Sequence, residues 1–172
     1  IGTAFVVGSG PTGLASAIAL RTQGFDVRII DKSTEPSTHS KALVIWARTL
    51  EMLDGHLDVG RILDAGIPGK KMRLFARGEK VAEIGLEETD SRFVGGLFLP
   101  QYDLERILAE RVLELGVTIE RGLELVGFEP TSHDTVEVTL RDAEGGQTAA
   151  SADWLIDCSG SHSVVRRHLD LG

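Results

Sequence analysis

The stretch from Phe5 to Asp31 constrains the fold more than any other. A short apolar run, Phe5-Val6-Val7, ends in Gly8-Ser9-Gly10-Pro11-Thr12-Gly13, and a helical segment from Leu14 to Gln23 follows at once. Gly24 closes that helix. Phe25-Asp26-Val27-Arg28-Ile29-Ile30 then reads as a second strand, with Asp31 at its end, eighteen positions after Gly13. Strand, glycine turn, helix, second strand and terminal acid together make a βαβ dinucleotide-binding fingerprint.

Each residue type in that turn answers a physical requirement. Gly8 permits the tight turn out of the strand, Gly10 lets the backbone approach a pyrophosphate with no Cβ in the way, and Gly13 lets the helix pack close to the sheet. Ala17 keeps that contact small one turn later. The N-terminus of the helix points unpaired amides and a positive dipole end at the phosphates, so two phosphate charges sit there without a lysine. Asp31 is expected to accept hydrogen bonds from the adenosine ribose. A carboxylate there repels a 2′-phosphate, which favours FAD or NAD over NADP at this site. The competing reading is a doubly wound domain whose glycines serve only the turn.

Size and charge narrow the rest. A chain of 172 residues supports one domain with a sizeable core. Eighteen basic against 26 acidic residues, a net charge of -8, argue against a nucleic-acid or anionic-membrane surface. The single cysteine, Cys158, cannot form an internal disulfide and fits a reducing compartment, so a cytoplasmic location is expected. No apolar run approaches the roughly 20 residues of a membrane span. Five histidines are scattered with no cysteine or acid at ligand spacing, so no metal site is expected.

Beyond Asp31, Lys32 to Lys41 reads as a polar loop on the ligand side of the sheet. Ala47 to Leu53 and Val59 to Ala65 have helical spacing, the second ended by Gly66-Ile67-Pro68. Met72 to Ala76 and Lys80 to Ile84 flank Arg77-Gly78-Glu79 as a β-hairpin. Glu87-Glu88-Thr89-Asp90 is read as a solvated turn rather than an acid/base pair. Tyr102 to Leu115 is an amphipathic helix capped by Gly116, and Val117 to Glu120 is a further strand of a parallel sheet. Glu124 to Glu129, Thr135 to Arg141 and Thr148 to Ala152 form an antiparallel meander. Trp154 to Cys158 reads as a last buried strand, and Ser159 to Arg166 as a second turn entering a helix. Ser159 and His162 stand three apart on that turn with no orienting acid, so hydrolytic chemistry is set aside.

The fingerprint with Asp31, the Ser40-Lys41-Ala42 loop, Arg48-Thr49-Leu50-Glu51, Leu99-Pro100-Gln101 before a helix, the meander and the Cys158-to-Arg166 turn resemble the class A flavoprotein monooxygenases, the p-hydroxybenzoate and phenol hydroxylase group. The resemblance covers essentially the whole chain. It implies an α/β, glutathione-reductase-like Rossmann domain with a central parallel sheet and an antiparallel meander, residues 1–172 forming a single FAD-binding domain. On that reading Gly8, Gly10 and Gly13 lie on the FAD pyrophosphate, with Pro11 and Thr12 between them, and Asp31, followed by Lys32, lies on the adenosine ribose. Lys41 stands where the family usually has an arginine, and Gln101 matches a glutamine on the ribityl side. The turn with Ser159, Gly160 and Arg166 matches an Asp-Gly motif associated with both FAD and NAD(P)H, with Ser159 in place of the aspartate. Restoring aspartate at Ser159 is expected to strengthen dinucleotide contacts.

The resemblance further implies NAD(P)H-driven hydroxylation of a small aromatic substrate by the complete enzyme. Catalysis falls to the flavin and to no side chain of this chain. A later strand carrying a Gly-Asp pair, and the substrate domain, are expected beyond this fragment, which alone is expected to be inactive. Two alternatives stay open: a fragment without catalytic activity that binds only the ADP half of a dinucleotide or nothing, and an FAD-dependent dehydrogenase, reductase or halogenase on the same scaffold.

Overall fold

A computed structural model describes residues 2–38, 43–86, 90–93 and 95–171. In chain order the elements are β1 (Thr3–Val7), α1 (Pro11–Thr22), β2 (Asp26–Asp31), β3 (Val44–Trp46), α2 (Ala47–Asp54), α3 (Gly60–Ala65), β4 (Ile67–Gly69), β5 (Lys71–Ala76), β6 (Glu79–Gly85), β7 (Gly96–Phe98) and α4 (Gln101–Glu114). There follow β8 (Ile119–Arg121), β9 (Glu124–Pro130), β10 (Val136–Arg141), β11 (Gln147–Ala152), β12 (Trp154–Asp157) and α5 (Val164–His168), the last preceded by a single 3-10 turn at Gly160–His162. By their internal contacts these fall into two units, Ile1–Ser37 with Leu108–Gly172, and Thr38–Ile107.

The first unit is built on a four-stranded sheet in the order β12-β1-β2-β8, whose neighbouring strands all run parallel. Ala4, Phe5, Val6 and Val7 are all buried, as a strand covered on both faces must be. Alternation divides them. Phe5 and Val7, with Ile30 of β2, pack into a cluster with Leu125, Phe128, Val138, Leu140 and Ala152 of the antiparallel meander β11-β10-β9. α1 packs on β1 and β2 through Leu14, Ala17 and Ile18. Arg21, near its end, donates to the Phe25 carbonyl at 3.1 Å and the Leu115 carbonyl at 3.3 Å, tying the exits of α1 and α4 together.

Two boundaries and one burial differ from the sequence reading. α1 begins at Pro11 rather than Leu14, because proline at the first helical position loses only an amide that has no partner there. β8 begins at Ile119 rather than Val117, because the Val117 amide folds back to the Val112 carbonyl beyond Gly116, whose φ is 77°. β12, expected to be buried, is an edge strand, and Trp154 is 61% exposed.

The second unit holds α2, α3, the hairpin β5–β6 and a small antiparallel sheet in the order β3-β7-β4. That sheet is absent from the sequence reading, and Ile67-Pro68, read there as a helix stop, belongs to β4. Across the hairpin Met72 pairs with Ile84 and Leu74 with Ala82, while Arg73 pairs with Glu83 on the opposite face. Hydrogen bonds from Arg73, then Lys71 and Lys80, hold the Glu83 carboxyl down to about 2. No helix among the described residues is long and apolar enough to cross a membrane.

Candidate functional site

Parallel strands end at one edge of a sheet, and open α/β sheets bind ligands just outside that edge. Here the register sets the edge residue by residue. Val7 pairs with Ile30 on one side and with Asp157 on the other. The ladder runs one step into the turns: the Gly8 amide donates to the Ile30 carbonyl and the Cys158 amide to the Val7 carbonyl, both at 2.8 Å. The glycine turn, Asp31 and the turn after β12 therefore lie side by side.

Two of the glycines are required by contact. Gly8 has φ of 99°, and a Cβ there would stand 2.6 Å from the Cys158 carbonyl oxygen and 3.1 Å from the Ser159 nitrogen. A Cβ on Gly13 would lie 1.8 Å from the Gly8 carbonyl oxygen. Gly10 is different: a Cβ there would meet nothing within 4 Å. Its backbone borders open space, the condition for a ligand to come close.

Asp31 does more than the sequence suggests. Its Oδ2 accepts from the Ser9 amide at 2.6 Å and the Ser9 hydroxyl at 2.7 Å, and its Oδ1 accepts from the Ser33 amide at 2.8 Å. Burial pushes its carboxyl upward, but the Ser33 and Ser9 amides, the Ser9 hydroxyl and the Arg121 charge outweigh burial and hold it below its ordinary value. Two consequences follow. The Ser9 amide serves Asp31, so the amides left at the start of α1 for an anion are those of Gly10, Thr12 and Gly13, Pro11 having none. Both lone pairs of Oδ2 are engaged, which leaves Oδ1 room for one further donor rather than a bidentate grip on a ribose.

The turn after β12 carries Ser159 and Gly160, and Arg166 follows in α5. Gly160 has φ of 80°, the left-handed region that suits glycine. Ser163, 2% exposed, caps α5 by accepting from the Arg166 amide at 2.9 Å. A cleft of about 320 Å³ beside it is lined by Ser161, Ser163, Arg166, Arg167, Asp170 and Leu171. Cys158 lies half-buried with its sulfur 3.8 Å from the Ser16 hydroxyl; burial, and to a lesser extent the neighbouring Asp157 charge, raise its thiol above the usual range against the opposing Ser16 hydrogen bond.

The other sequence candidates fall elsewhere. Lys32 is exposed. Lys41, with the Ser40-Lys41-Ala42 loop, lies outside the described residues, as do Glu87, Glu88 and Thr89 of the acidic turn. Gln101 is the first residue of α4, in the second unit, and its Nε2 donates to Glu105 Oε1 at 2.7 Å. Sequence reasoning missed Ser9, Asp157 and Ser163. Ser163 carried a usable signal, a serine just ahead of a short apolar run, and so did Asp157, an aspartate two residues ahead of the amide it accepts; Ser9 acts through a contact with Asp31, well along the chain, that its spacing does not encode.

Comparison with known proteins gives the chain a family. The model of a family described as an FAD binding domain matches residues 2–172. A rifampicin monooxygenase from Rhodococcus hoagii is 35% identical over 162 residues, covering 94% of this chain and 32% of that protein. A 12-dehydrotetracycline 5-monooxygenase/anhydrotetracycline 6-monooxygenase from Streptomyces rimosus is 35% identical over 170 residues, covering 96% of this chain and 32% of that protein. The crystal structure of the flavin-dependent monooxygenase PieE, in complex with FAD and substrate, superposes with a TM-score of 0.86 at 26% identity, over 98% of this chain and 32% of that one. The chain spans about a third of the length of these relatives.

Proposed function

Because the chain belongs to the FAD binding domain family, we propose that residues 1–172 form one FAD-binding domain of a flavin-dependent monooxygenase that hydroxylates a small aromatic substrate using NADH or NADPH. The family match runs across both units, which supports reading them as one domain. The relatives' names supply the reaction class, and the free Cys158 supports a cytoplasmic location.

One observation carries the cofactor reading: the open space beside Gly10, at a sheet edge where β1 ends between Asp31 and the β12 turn. A pyrophosphate would lie in that space. The amides of Gly10, Thr12 and Gly13 would donate to its oxygens, and the dipole of α1 adds to their pull. Asp31 Oδ1 would accept from one ribose hydroxyl, while Oδ2 keeps Ser9 in place. Its charge would also exclude a 2′-phosphate from this pocket. Lys32, Lys41, Gln101, Ser159, Gly160 and Arg166 are assigned to the cofactor by the resemblance. When bound, FAD would supply the redox chemistry; the chain supplies binding and orientation.

A second reading, binding of the ADP half alone, gains from the same geometry, since the cradle and Asp31 address phosphates and ribose. Calorimetric titration with FAD, ADP and NAD separates the two. The flavin assignment predicts FAD binding at least about tenfold tighter than ADP or NAD, a difference of about 1.4 kcal/mol. Equal affinity for FAD and ADP would favour the ADP reading, and tighter binding of NAD would overturn the flavin assignment.

A further inference from the structure

We infer that Asp157 is a positioning residue for the dinucleotide: by clamping the turn after β12 it sets the wall that stands against the glycine cradle, supplying from two residues upstream the acid that Ser159 lacks. Its Oδ1 accepts from the Ser159 amide at 3.1 Å and from the Ser159 hydroxyl, and its Oδ2 accepts from the Ser163 hydroxyl. Ser163 passes the constraint on, since the same oxygen accepts the Arg166 amide. One carboxylate thus ties the end of β12 to both ends of the turn and to the first residues of α5.

The clamp matters to the cradle because nothing cushions the two. An added Cβ on Gly8 would stand within 3.1 Å of the Cys158 carbonyl and the Ser159 nitrogen, so the turn lies directly on the backbone that leads to Gly10. A turn that relaxes by an ångström moves that wall. Asp157 is level with Val7, the last residue of β1, so it acts at the mouth of the sheet.

This assignment reverses the expectation for Ser159. Aspartate at that position would place a second carboxylate where the serine hydroxyl now donates to Asp157, so two acids would face each other in one turn. Exchanging the two residues removes the conflict and leaves one acid in the turn.

The inference rests on the FAD reading, and one set of FAD titrations by flavin fluorescence tests both. Ser159→Asp is expected to weaken FAD binding about tenfold or more, Asp157→Ser by a similar factor, and the pair Asp157→Ser with Ser159→Asp to return to within about threefold of the unchanged protein. A side chain with a merely structural part would lower the melting temperature without recovery of affinity in the exchanged pair. If Ser159→Asp does not fold, Asp157→Asn serves instead: it keeps the shape, removes one acceptor and is expected to weaken FAD severalfold with melting near that of the unchanged protein. Normal affinity in Asp157→Asn, or no recovery in the exchanged pair, overturns the role of Asp157 alone. Loss of FAD binding in the unchanged protein, or binding indifferent to Gly10→Val, overturns the cofactor reading and the inference with it.

Discussion

An added methyl at Gly13 would lie 1.8 Å from the Gly8 carbonyl oxygen, whereas one at Gly10, three residues earlier, would meet nothing within 4 Å. The two glycines thus answer to different partners. Gly13 is demanded by the protein's own backbone, while Gly10 borders open space that the proposed pyrophosphate would use. Gly13→Ala is therefore expected to cost about 3 kcal/mol or more, since backbone cannot yield as a side chain can. Gly10→Val is expected to melt within about 1 kcal/mol of the unchanged protein, its extended backbone suiting valine, yet to lose most FAD affinity. Thermal melting and FAD titration of both variants check this. All three glycines were legible as a motif, with Gly10 read as open to a ligand and Gly13 as packed; that Gly13 lies against the Gly8 carbonyl and Gly8 against the Cys158 carbonyl was not, because that depends on distances across the fold.

At the scale of elements, Asp31 is the joint that holds the end of β2 to the glycine turn at Ser9 and to the following loop at Ser33. Its folded carboxyl lies below the usual value, so its contribution to stability is complete above the unfolded value of about 3.9 and is lost as pH falls through the folded one. An amide at this position offers one oxygen and turns a donor toward either Ser9 or Ser33. Asp31→Asn is therefore expected to melt below the unchanged protein at neutral pH by an amount on the order of 1 kcal/mol, discounted for partial exposure, and the gap is expected to close below about pH 4. Urea melts across that range measure it; a gap independent of pH would show that the charge plays no part. Long elements were legible because each carries its own period: the meander, the hairpin, α1 and α4 lie within a few residues of where patterning puts them. β3, β4 and β7 were not, since three residues complete no recognisable alternation and their pairing joins positions far apart in the chain.

For the whole molecule, the sequence carried the class of fold further than the details of the site. Alternating strands and helices require a parallel sheet, and a single glycine fingerprint fixes which end of it takes a ligand. The partnership of Asp157 with Ser159 and Ser163 is local, reaching two and six residues along the chain; what no local pattern announces is that β12 lies beside β1, about 150 positions away, which brings that turn to the cradle. Everything functional descends from that edge: three consecutive strand ends, amides without partners in the helix, and an acid on either side. A crystal structure of the protein grown with FAD examines it directly. The account predicts the pyrophosphate in hydrogen-bond contact with the amides of Gly10, Thr12 and Gly13 and a ribose hydroxyl on Asp31 Oδ1; a pyrophosphate bound elsewhere, with Gly10 left facing solvent, would contradict it.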